Sequence, residues 1–171
     1  MNSTPIIAFS AWSGTGKTTL IEKLIIELKN RGLRLAVIKH DAHDFEIDKE
    51  GKDSWRFTRA GADVTAVSSG AKTAFVISRP LDLSDVVSTI RDVDMILAEG
   101  YNNEDLPSIG ISRIQTGKGF RRPPESYIAL VTDDPAYKGS CACVPVFGFE
   151  DIRAIADFIQ DFISNDQCSS H

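Results

Sequence analysis

Ser13-Gly14-Thr15-Gly16-Lys17-Thr18-Thr19 follows the apolar run Ile6-Ile7-Ala8-Phe9 and leads into a stretch that reads as a helix from about Lys17 to Arg31. Leu20, Ile21, Leu24, Ile25 and Leu28 recur there at helical spacing, and Gly32 stands where a helix C-terminus favours glycine. Buried strand, glycine-rich turn and helix in that order make a phosphate cradle. The glycines let backbone N–H groups point inward as a nest, and the helix N-terminus adds partial positive charge. At this spacing Ser13 to Thr19 would wrap the phosphates of a nucleoside triphosphate. Lys17 would reach the β and γ phosphates, and the Thr18 hydroxyl would ligate Mg²⁺. The general form of the motif opens with glycine where this chain has Ala11. A small residue serves at that point if its φ stays negative.

Reading outward, Leu35-Ala36-Val37-Ile38 is a second buried strand and completes a βαβ unit of the kind that builds parallel sheets. A short helix is expected over Asp53 to Ala60, then an antiparallel pair, Val64–Val67 and Thr73–Ile77, then a helix over Ser84 to Arg91. Met95–Ala98, Ile109–Ser112, Tyr127–Val131 and Val144–Phe147 read as later strands. A last helix, about Asp151 to Ile163, precedes a polar tail after Asn165. The fold class this implies is α/β of the P-loop NTPase type, three layers with a mostly parallel central sheet and helices on both faces. No repeat, low-complexity segment or linker interrupts the 171 residues, so the whole chain reads as one domain.

A net charge of −5 argues against a nucleic-acid groove as the main surface. No apolar run reaches membrane-span length and no signal-peptide pattern opens the chain, so a cytoplasmic protein is expected, with no membrane partner. Three cysteines, two of them as Cys141-x-Cys143, are a poor disulfide framework and fit a reducing compartment. They read as small side chains beside a strand, since two sulfurs do not close a metal site.

A Mg²⁺ ion at the cradle also wants a carboxylate at the C-terminal edge of a neighbouring strand. Glu99, just after Met95–Ala98, occupies that place and is expected to hold the metal through water. Asp94, at the other end of the run, is expected to be solvated. The segment Lys39-His40-Asp41-Ala42-His43 begins where the second strand ends, with Asp48, Lys52, Asp53, Ser54 and Arg56 following. It reads as a polar loop beside the cradle. His40 and His43 suit either a metal or a phosphate, the phosphate or ligand reading being preferred because two histidines do not complete a zinc site. Lys39 and Lys52 would neutralise phosphate charge, and Asp48 would accept from metal-bound water.

Taken in order, these segments resemble the molybdopterin-guanine dinucleotide biosynthesis protein B family. The resemblance rests on Ala11 to Thr19, Lys39-His40-x-x-His43, Asp48-x-x-Gly51-Lys52-Asp53-Ser54, Ala60-Gly61-Ala62 and Ile96-Leu97-Ala98-Glu99-Gly100. It runs from about Pro5 to Tyr101 and thins afterwards, and the alanine at position 11 is itself family-like. Where many members have an aromatic and a lysine after Glu-Gly, this chain has Tyr101 and Asn102.

The resemblance implies a homodimeric GTP-binding protein with feeble hydrolysis. It would act beside the guanylyltransferase that attaches GMP to molybdopterin. Guanine selection usually needs an Asp in an Asn/Thr-Lys-x-Asp setting, which this chain lacks. Asp133, after the run Ile128–Val131, is the nearest counterpart, its alternative being the start of the turn before Pro135. Lys118-Gly119-Phe120-Arg121-Arg122 is expected to be a solvated loop, with docking of a phosphate-bearing pterin or acidic partner as the alternative.

Three function classes remain at this level: a slow GTPase that times a handover, a binding adapter with incidental turnover, and a P-loop kinase for a small acceptor. P-loop GTPases without a transition-state arginine turn over at roughly 10⁻⁴ to 10⁻² per second. No arginine here is an obvious finger, although Arg56, Arg59 and Arg79 are available. A nucleotide-binding accessory protein with weak hydrolysis is therefore favoured.

Overall fold

The computed structural model describes residues 4–40, 45–102, 104–137 and 144–169. In chain order its elements are β1 (Ile6–Ala11), α1 (Lys17–Asn30), β2 (Leu35–Lys39), α2 (Asp53–Arg59), β3 (Val64–Ser68), β4 (Thr73–Ile77) and α3 (Leu83–Thr89). There follow β5 (Met95–Glu99), β6 (Ser108–Ser112), β7 (Ala129–Thr132), β8 (Val146–Phe147) and α4 (Ile152–Ser169). The chain groups into two compact units, Met1–His40 with Asp92–His171, and Asp41–Arg91.

The first unit carries a six-stranded sheet in the order β2-β5-β1-β6-β7-β8. Every pairing in it is parallel. This is the α/β class with a mostly parallel central sheet expected from the near-continuous apolar strands. Alternate residues Ile7, Phe9, Leu97, Ile109, Ile111 and Val131 form one sheet face and pack with Leu20, Leu24 and Leu28 of α1 and Ile155 and Ile159 of α4. The period of two in the strands meets the period near 3.6 in the helices, which is what draws these elements together. Leu24 and Leu28 are completely buried. Each such side chain contributes about 1.5 to 3 kcal/mol by leaving water. Arg31 ties the end of α1 to α4, donating to Asp157 at 2.6 Å and Gln160 at 2.7 Å.

Within this unit, Tyr127 covers part of the other sheet face. Its ring lies so close to Gly110 that a Cβ there would meet it at 2.7 Å. Its hydroxyl accepts from the Arg122 backbone N–H at 3.0 Å and donates to Ser10 at 3.3 Å. The Ser10 hydroxyl in turn donates to Asn102 at 3.2 Å. Tyr127 is thus a covering residue and not the first of its strand; β7 begins at Ala129, after a 3-10 turn over Pro124–Ser126. At the chain's end α4 continues to Ser169, past the point where the polar tail suggests fraying.

Asp94 also differs from expectation. It is no merely solvated carboxylate, because it accepts from the Arg34 backbone N–H at 2.7 Å and from the Arg34 guanidinium at 2.7 and 3.3 Å. These bonds latch the starts of β2 and β5. The paired guanidinium and backbone donors hold the Asp94 carboxyl well below the usual range, at about 2.

In the second unit β3 and β4 pair antiparallel, with Ala66 opposite Phe75 and Thr65 opposite Val76. Thr58 of α2 donates to Thr65 at 2.9 Å, so α2 lies on the Thr65 face. Val64, Ala66 and Phe75 take the opposite face, where Phe75 is 69% exposed. No helix among the described residues is long and apolar enough to cross a membrane.

Candidate functional site

β1 is central in its sheet, and the chain leaves its C-terminal end through Trp12 to Gly16 before entering α1. Gly14 and Gly16 adopt φ of 83° and 85°, the left-handed region that glycine enters without a Cβ penalty. Ala11 is not among the residues with positive φ, so the alanine is compatible with the loop. Thr15 is fully buried and its hydroxyl donates to the Trp12 carbonyl at 3.0 Å, which cross-braces the turn. Gly16 stands at the N-cap of α1 with no side-chain cap, and the first turn carries no acidic residue. The first amides of α1 are therefore left for an anion, as a phosphate site requires. Ser13, Thr18 and Thr19 are exposed around this mouth.

Lys17 extends from the head of α1 to Glu99, with its Nζ 3.0 Å from Oε1. Glu99 ends β5, in register with Phe9 of β1 on one side and Lys39 of β2 on the other. The parallel sheet thus delivers the carboxylate to the same edge as the loop. His40 follows directly, its backbone N–H donating to the Glu99 carbonyl at 2.8 Å. Its ring lies 5.3 Å from that of Tyr101. Burial raises the Tyr101 phenol above its ordinary value, and the Glu104 carboxylate adds to this. Gly100, at φ 86°, allows the close approach, since a Cβ there would run into the His40 carbonyl.

The sequence-derived residues thus divide. Ser13 to Thr19, Glu99 and His40 share one edge of the first unit. His43 lies outside the described residues, as do Cys141 and Cys143. Asp48 belongs to the second unit, where its carboxylate accepts the Lys49 N–H at 2.9 Å. Asp133 is exposed and accepts the Ile114 N–H at 2.8 Å, bracing the turn after β6.

Sequence reasoning missed the contacts that surround the loop. Arg113 donates through Nε to the Thr15 carbonyl at 3.1 Å, and its guanidinium lies 3.9 Å from the Phe149 ring centroid. Trp12, 37% exposed, carries Arg121 at 4.5 Å and Lys118 at 5.6 Å from its ring centroid. The basic segment is therefore seated on the cradle by cation–π contacts and is not a free solvated loop. Local spacing held no signal for these contacts, because from 36 to about a hundred residues separate the partners.

The oxygen donors suit Mg²⁺. That ion takes one or two protein oxygens and keeps phosphate and water for the rest. Thr18 in the first turn of α1 and Glu99 at the end of β5 are the residues that would hold it.

A family model of molybdopterin guanine dinucleotide synthesis protein B matches residues 6–133. The molybdopterin-guanine dinucleotide biosynthesis adapter protein of Escherichia coli is 38% identical over 170 residues, with 93% of each chain covered. That of Haemophilus influenzae is 34% identical over 166 residues, covering 95% of this chain and 91% of its own. The crystal structure of Bacillus subtilis MobB superposes with a TM-score of 0.74 at 26% identity, covering 92% of this chain and 96% of that one.

Proposed function

The chain belongs to the molybdopterin guanine dinucleotide synthesis protein B family, and from that premise we propose that it is a GTP-binding accessory protein of molybdenum cofactor biosynthesis. In this reading it hydrolyses GTP weakly and acts in the cytoplasm, with the guanylyltransferase that joins GMP to molybdopterin. The observation that carries the reading is the pairing of an uncapped α1 N-terminus with a Lys17–Glu99 contact at the same sheet edge. Open amides and the Lys17 ammonium bind the triphosphate; Ser13, Thr15 and Thr19 complete the wrap. Thr18 and Glu99 hold Mg²⁺, which when bound neutralises charge on the β and γ phosphates. His40 supplies a donor or acceptor beside Glu99 for the rest of the ligand.

Weak hydrolysis fits the local chemistry. Arg113 touches the loop, but its guanidinium is stacked on Phe149 and bonded to Thr15. An arginine so occupied is not free to stabilise charge in the transition state, so turnover stays near that of finger-less P-loop GTPases, on the order of 10⁻⁴ to 10⁻² per second. A homodimer is supported by the exposed face of the β3–β4 pair, since clustered apolar side chains on a surface mark interaction sites.

The test measures binding of GTP, ATP and GDP, then GTP turnover with and without the guanylyltransferase and molybdopterin. Tight Mg²⁺-dependent GTP binding with stimulated GMP attachment is expected. Absence of triphosphate binding would overturn the reading. Stimulated attachment with no hydrolysis would leave an adapter that is not a GTPase.

A further inference from the structure

The triphosphate reading leaves the base without a seat, and one cavity in the first unit is placed to receive it. A cavity of about 270 Å³ starts at Gly14 and Gly16 and runs along α1 to Lys23. Arg113, Gln115, Phe149 and Glu150 line its other side. A ligand whose phosphates lie on the loop has its nucleoside directed there. The volume is slightly below the ~300 to 1,000 Å³ of drug-sized pockets, in keeping with a smaller group such as a base.

We propose that this cavity seats the guanine base, with the Arg113–Phe149 pair as its stacking wall and the Glu150 carboxylate as the group that selects guanine over adenine. The inference rests on the nucleotide-binding reading given above. The Arg113 guanidinium lies over the flat Phe149 ring and is fixed to the loop through its bond to the Thr15 carbonyl. Base faces pack well on such surfaces. Guanine offers two adjacent donors, N1–H and the N2 amino group, and an ionised carboxylate is acceptor-only with two oxygens to match them. Adenine presents an acceptor at N1 and no amino group at C2, so the same carboxylate repels it.

The walls are held in place. Lys23 Nζ donates to both Glu150 oxygens at 2.9 and 2.8 Å, which orients the carboxylate and leaves each oxygen further lone pairs. Asp151 accepts the Gly148 N–H at 2.7 Å and fixes the turn that bears Phe149 and Glu150. Asp133 fixes the opposite turn through Ile114, between Arg113 and Gln115. On this geometry Asp133 is a positioning residue and Glu150 the reader of the base.

The experiment compares GTP, ITP, XTP and ATP binding by calorimetry in the wild-type chain, Glu150→Gln and Phe149→Ala, with circular dichroism to confirm folding. ITP lacks the N2 amino group and XTP replaces it with a carbonyl. Wild-type protein should favour GTP over ITP and ATP by about tenfold or more. Glu150→Gln should erase the GTP-over-ITP preference and raise XTP relative to GTP, because an amide can donate to the new carbonyl. Phe149→Ala should weaken all four together. Unchanged GTP:ITP and GTP:XTP ratios in folded Glu150→Gln would overturn the assignment while leaving triphosphate binding standing. A wild-type chain that bound none of the four would instead overturn the nucleotide reading itself.

Discussion

The Lys17 ammonium lies 3.0 Å from Oε1 of Glu99, each side chain 18% exposed, so the head of α1 and the end of β5 hold one another across the mouth of the loop. The two charges neutralise one another in a site only partly open to water. In the proposed function a triphosphate in the cradle would compete for the ammonium and leave the carboxylate available to a metal.

Lys17→Ala should lower triphosphate affinity by about 10- to 100-fold, the size of a lost charge-assisted hydrogen bond. The fold should survive, because Lys17 is not part of the apolar core. Calorimetry on a variant with wild-type circular dichroism checks this, and unchanged affinity would remove Lys17 from the site.

Glu99→Gln should separate metal from nucleotide. The amide keeps the shape but loses the charge, so Mg²⁺-dependent affinity should fall about tenfold. Metal-free nucleotide should bind as well as before or better, since Lys17 no longer has a competing carboxylate. Equal losses with and without Mg²⁺ would make Glu99 structural.

Gly100→Ala combines a left-handed φ of 86° with a Cβ directed into the His40 carbonyl. Left-handed strain alone costs about 1 to 2 kcal/mol, and the backbone must also move. A drop in Tm of several degrees is expected for a chain of this size. A wild-type Tm would show that the β2 and β5 ends can separate freely.

The Asp94–Arg34 latch carries a pH dependence with a definite sign. The folded carboxyl titrates at about 2, below its ordinary value of 3.8. Its contribution is therefore complete above the ordinary value and is lost as pH falls through the window between them. Melting curves of wild type and Asp94→Asn should differ by a constant amount from neutral pH down to mild acid, then converge as pH drops toward 2. A gap that widened on acidification would contradict the latch.

Phe75→Glu places a charge on the outward face of the β3–β4 pair, where the side chain is 69% exposed and carries little of the fold. If that face joins two copies, light scattering should report a shift from dimer to monomer, with Tm changed little. A dimer of unaltered strength would move the interface elsewhere.

The cradle was legible because its chemistry is local. Gly14, Gly16, Lys17 and Thr18 lie within five residues, and a strand before them and a helix after them suffice to aim their groups. Glu99 could be found for a similar reason: a carboxylate after an apolar strand falls at the ligand edge of a parallel sheet in any strand order that sets β5 beside β1. Asp94 was misread because its partner, Arg34, lies sixty positions away at the start of a different strand.

The surroundings of the loop depended on the order β1-β6-β7-β8, which no periodicity in the chain specifies. That order carries Arg113 and Asp133 from the ends of β6 and β7, and Phe149 and Glu150 from beyond β8, to the side of α1. The segment after β6 likewise returns Lys118 and Arg121 to Trp12. Backbone conformation and apolar period are properties of neighbouring residues and can be read along the chain. Contacts between distant segments arise only when burial of the shared core selects one strand order, and the seat proposed for the base depends on such contacts, from Arg113 to Thr15 and from Lys23 to Glu150.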